Sequence, residues 1–95
     1  MAEVIVATIE VTETSPNSFS VTVHGSQVTT HQVSVKPDYA QQLLTTPHTI
    51  TELVAASFSF LLDRESNSSI LRSFDLSVIE RYFPDYPKAL SRYLK

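Results

Sequence analysis

Apolar and polar positions alternate from Val4 to Thr12: Ile5, Ala7, Ile9 and Val11 fall on one side, and Val4, Val6, Thr8 and Glu10 on the other. A period of two predicts a β-strand, here one that is apolar on both faces at its start. The cluster TSPNS, with Pro16 and Asn17 suited to a turn, closes that strand. Phe19, Val21 and Val23 then alternate with Ser20, Thr22 and His24, and Gly25, the chain's only glycine, predicts a tight reversal through its tolerance of positive φ. A third run, Val28 to Val35, turns Val33 and Val35 inward and Thr30, Gln32 and Ser34 outward. Together these segments predict an antiparallel meander over residues 1–36.

From residue 37 the period changes. Pro37 suits a first helical turn, and Asp38, Tyr39, Ala40, Leu43 and Leu44 predict one short helix, broken by TTPH. Thr49 as N-cap and Glu52 three residues later form a capping box; behind them Ile50, Leu53, Val54, Ser57, Phe58, Leu61 and Leu62 keep helical spacing. RESNSS, residues 64–69, reads as a polar loop. In SILRSFDLSVIERYFPDYPKAL, Asp75 is placed to cap a helix carrying Leu76, Ile79 and Phe83, with Phe74 and Ile79 as its hydrophobic staple. Pro84 stops that helix, because the residue before a proline avoids the α region. Asp85 repeats the cap, and Tyr86, Ala89, Leu90, Tyr93 and Leu94 form the apolar face of a last helix. The predicted fold is α+β: a three-stranded antiparallel β-meander followed by about four helices. It forms a single domain over residues 1–95, with the helical part in 37–95 and at least two helices covering the Ile5/Phe19/Val33 face.

Ninety-five residues, 42 % hydrophobic and 18 % charged, suit one domain that buries roughly 60–70 % of its unfolded surface. The net charge of −3 is uneven: residues 1–62 carry −4, one lysine against five acidic groups, and residues 63–95 carry +1, six basic groups against five acidic. Nucleic-acid binding needs a basic surface that neutralises phosphates, so this balance disfavours it. The absence of cysteine fits a reducing compartment, the acidic start MAEVIVATIEV is unlike an export signal, and no window reaches the roughly 20 apolar residues of a membrane span. The expected location is cytoplasmic, without membrane association.

Candidate chemistry is sparse. His24, His31 and His48 are spaced without the convergence a metal site needs and read as surface or edge histidines. One glycine cannot build a phosphate-cradling loop, and no serine lies in a nucleophile elbow. Asp63 with Glu65 and Asp75 with Glu80 are carboxylate pairs with no visible pocket, so neither catalysis nor a cofactor is expected. Arg72, Arg81 and Arg92 have no structural role in the pattern; with Tyr86 and Tyr93 they are the candidate partner-binding residues, since Arg and Tyr are enriched in interface hot spots. Val4 and Val6 would stay exposed if helices covered only the Ile5 side, which predicts a homodimer. The resulting expectation is a non-catalytic protein-interaction domain that self-associates.

The ending SILRSFDLSVIERYFPDY resembles that of a set of short uncharacterised bacterial proteins, and the likeness reaches back through TITELVAASFSFLLDRE, about half the chain. It implies a bacterial cytosolic domain and supplies no activity, substrate or site residue. A second likeness is weaker. TTHQVSVKPDYAQQLL followed by TITELVAASFSFLLD is similar to the strand, short helix, long helix order of ribbon-helix-helix regulators, which would make Thr30, Gln32 and Ser34 DNA-contacting. The two preceding strands and the acidic N-terminal half depart from that pattern.

Overall fold

The structure is a computed structural model that describes residues 8–25, 27–44 and 49–94. Three strands, β1 (Thr8–Ser15), β2 (Ser18–His24) and β3 (Val28–Ser34), form the antiparallel meander that the alternation predicts. Its first turn falls at Pro16 and Asn17. Val4 and Val6 lie outside the described residues, as do Ile5, Ala7 and His48. The chain reverses at Gly25 as expected, His24 pairing with Val28, but without the positive φ: no described residue, glycine included, has one, and a Cβ at Gly25 would meet only ordinary contacts at 3.8 and 3.9 Å.

The sheet has a fourth strand, which the sequence reading assigned to a helix cap. β4 (Ser73–Asp75) pairs parallel with β3, giving the order β1-β2-β3-β4. A parallel neighbour needs a long crossover, and here α1 (Pro37–Leu43) and α2 (Ile50–Leu62) supply it. The register sets Glu13, Phe19, Val33 and Phe74 side by side across the four strands. One sheet face carries Phe19, Val21, Val23, His31 and Val33, all buried, while Ser20, Thr22, Thr30, Gln32, Ser73 and Asp75 share the other.

α2 is the axis of the core. Its capping box forms as the sequence predicts: Glu52 N–H donates to Thr49 Oγ1 at 3.1 Å, and Thr49 N–H to Glu52 Oε1 at 2.9 Å. Phe58 faces the sheet, its ring centroid 5.3 Å from His31 and 6.0 Å from Phe74. Phe60, on the opposite side, meets Phe83, Tyr86 and Tyr93 at 5.2–6.0 Å. The helix is thus buried between the sheet and the C-terminal turns.

Those turns are shorter than the spacing predicts. α3 (Val78–Tyr82) ends at Phe83, whose extended backbone precedes Pro84; α4 (Tyr86–Ala89) continues as a 3-10 turn, Leu90–Arg92. Asp75 does not act as an N-cap. It closes a turn, accepting from Ser77 N–H at 3.1 Å and Ser77 Oγ at 2.6 Å, and from Ser34 Oγ on the neighbouring strand at 2.8 Å. Asp85 makes no cap bond and instead binds the Arg64 guanidinium.

Candidate functional site

A groove of about 300 Å³ is built from three successive segments of the C-terminal half, all between Leu61 and Phe83. It is lined by Leu61 near the end of α2 and Glu65 just past it, by Ser69, Ile70, Leu71 and Phe74, and by Val78, Ile79, Tyr82 and Phe83. Its size is at the lower limit of small-ligand clefts. Leu71 is 50 % exposed and Tyr82 67 %, which leaves two large apolar side chains on the rim in water. Pro84 stops α3 just past Tyr82, and the Ile70–Phe74 segment supplies the wall that joins it.

That wall is fastened by buried polar bonds that sequence reasoning missed. His31 is not at the surface: it is fully buried, with Nδ1 2.7 Å from Leu71 O and Nε2 2.9 Å from Thr29 Oγ1. Asn67 opens a 3-10 turn (Asn67–Ser69) inside the expected polar loop and is itself buried; its Nδ2 donates to Gln27 O and Thr29 Oγ1, each at 3.0 Å. The period-two pattern, which puts residue 31 on the same side as 33 and 35, was the signal available for His31.

The carboxylates are mostly engaged in holding the fold. Asp63 accepts from the Tyr93 hydroxyl, Glu80 from Tyr39 at 2.9 Å, Asp85 from Arg64, and Asp75 from Ser34 and Ser77. Partial burial opposes the charged form of Asp75, but the bonds from Ser77 and Ser34 and the nearby Lys36 charge outweigh it and hold its carboxyl below the ordinary value. Burial, and then the bond to Glu80, push the Tyr39 phenol far up; burial does the same to Tyr86, and the bond to Asp63 raises Tyr93. Neither carboxylate pair suggested by sequence forms an acid–base couple, because Asp75 and Glu80 serve different partners and Asp63 is taken by Tyr93. Glu65 differs. It lines the groove, and its carboxylate has no hydrogen bond or ion pair with another described residue.

Of the candidate partner-binding residues, Arg72, Arg81 and Arg92 are exposed, and none makes a side-chain hydrogen bond or ion pair with another described residue. Arg72 follows Leu71 and Arg81 precedes Tyr82, so both adjoin the groove's rim residues in sequence. Tyr93 is partly buried against Phe60. Tyr86 cannot be an anchor: it is fully buried, its hydroxyl 2.5 Å from Ser57 Oγ. Ser57 spends its proton on Leu53 O at 2.7 Å, so Tyr86 is the donor of that pair.

Thr30, Gln32 and Ser34 are exposed as expected, but the ribbon-helix-helix arrangement does not follow. In that arrangement equivalent strands pair across a dimer, and both edges of β3 are already occupied, by β2 and β4. Gln32 and Ser34 also bond sideways, to Ser20 at 3.4 Å and to Asp75. The sheet face they share carries Glu10, His24 and Asp75 and no lysine or arginine among the described strand residues.

No three His, Cys, Asp or Glu side chains converge to hold a metal among the described residues, and no described helix is long and apolar enough to cross a membrane. Comparison with protein-family models, curated proteins and solved structures finds no match to this chain.

Proposed function

We propose that the protein is a small non-catalytic interaction domain whose contact surface is the groove between Leu71 and Tyr82. The observation that carries this reading is the exposure of those two side chains, both lining one apolar cleft: isolated exposed apolar residues are ordinary, whereas apolar surface gathered at a cleft is the mark of a contact surface. The engaged carboxylates support the non-catalytic part, since Asp63, Asp75, Glu80 and Asp85 are held in bonds that stabilise the fold. The setting in this reading is the bacterial cytosol, which rests on the C-terminal resemblance. A photo-crosslinking residue placed at Tyr82, compared with one at Thr30 on the open sheet face, tests the surface. Protein adducts should form from position 82; adducts confined to position 30, or adducts to nucleic acid, would refute it.

A further inference from the structure

Resting on the reading of the groove as a contact surface, we propose that its occupant is a second copy of this chain, seated so that Leu71 enters the partner's groove and Arg72 pairs with the partner's Glu65. The argument is charge and shape complementarity within one patch. Glu65 is a partly buried residue that lines the groove, and it is the one acidic group among described residues 63–94 that no hydroxyl or guanidinium holds. A carboxylate beside apolar surface with no partner of its own is open to a cation delivered together with apolar cover. Such a pair adjoins the groove in sequence: Leu71, half exposed and lining it, is followed directly by Arg72, which is exposed and whose guanidinium is unpaired among the described residues. A patch holding both a cleft lined by an acid and an exposed apolar side chain followed by a base can complement itself under a two-fold axis, the symmetry of most homodimers. Arg81 fits less well. On α3 the groove-lining positions 78, 79, 82 and 83 centre on one arc, and at 100° per residue position 81 lies about 130° from that centre. The net charge of −3 does not oppose the dimer, because this contact pairs opposite charges locally.

Sedimentation equilibrium across micromolar concentrations tests the proposal with wild type, Glu65→Arg, Arg72→Glu, and an equimolar mixture of the two variants. Wild type should approach twice the chain mass; each reversal alone should weaken association by about tenfold or more, by setting like charges against each other at both symmetric contacts. The mixture should restore the dimer, since each variant then supplies the charge the other lacks, and that rescue also shows that both variants are folded. A wild type that is monomeric throughout, a dimer indifferent to both reversals, or a mixture without rescue overturns the proposal. The neutral apolar dye Nile red separates this failure from failure of the groove reading. Uptake by a monomeric wild type, abolished by Tyr82→Ser, overturns the second copy and leaves the groove for another protein; absence of uptake by a monomeric wild type overturns both.

Discussion

His31 Nδ1 lies 2.7 Å from the carbonyl oxygen of Leu71, forty residues away in the chain. A carbonyl only accepts, so Nδ1 donates to it; in the neutral ring that tautomer leaves Nε2 to accept from Thr29, whose oxygen accepts from Asn67. Each polar group of this buried chain has its partner, which rigidifies the groove wall against the sheet.

His31→Phe keeps a ring of similar size beside Phe58 but strips the donor from Leu71 O and the acceptor from Thr29. The expected loss is about 2–4 kcal/mol in urea unfolding, from two broken hydrogen bonds with buried groups left unpaired. A change below about half a kcal/mol, typical of surface sites, would show that the chain does not hold the wall.

The alternation of β2 and β3 and the Thr49/Glu52 box were readable because each is set by neighbours a few residues apart. Alternation also placed residue 31 inward, yet a histidine at that position reads as exposed unless its distant partners, Leu71 and Thr29, are known. β4 was hidden for a related reason: SFD is only three residues long, and Phe74 with Asp75 mimics a staple and cap, whereas its pairing with β3 is decided by the long crossover. Burial of Phe60 likewise depends on turns that arrive later in the chain, and although the groove residues all lie between Leu61 and Phe83, their coming together as a groove depends on how α2, β4 and α3 pack, which spacing alone does not give.

Acid should release the Asp75 turn. Its carboxyl is held below the ordinary aspartate value in the folded chain, so the stabilisation is present at neutral pH and is lost as pH falls through the folded value. Asp75→Asn should therefore melt below wild type at neutral pH and converge with it in acid. A melting-temperature gap that is constant across this range would contradict the assignment.

Alkali acts on Tyr86 with the opposite sign. Burial raises its phenol above the ordinary value, so its contribution is complete below the normal phenol range and declines as pH rises through it. Tyr86→Phe should cost about 1 kcal/mol at neutral pH, since Ser57 keeps its bond to Leu53 O, and should flatten the alkaline loss of stability. Tyr39, raised by burial and by Glu80, leaves a residual slope that the additional change Tyr39→Phe should reduce. Thermal melts of wild type, single and double variants at rising pH give the comparison, and identical alkaline slopes in all three would contradict it.

Amide chemical shifts followed against protein concentration test the groove most directly. If a second copy seats there, the concentration-dependent changes concentrate at Glu65, Leu71, Arg72, Val78 and Tyr82 and leave Thr8–Ser15 on the far strand unmoved. Changes confined to Thr8–Ser15 would place association at the opposite sheet edge, and a spectrum independent of concentration would mean that the chain does not pair with itself.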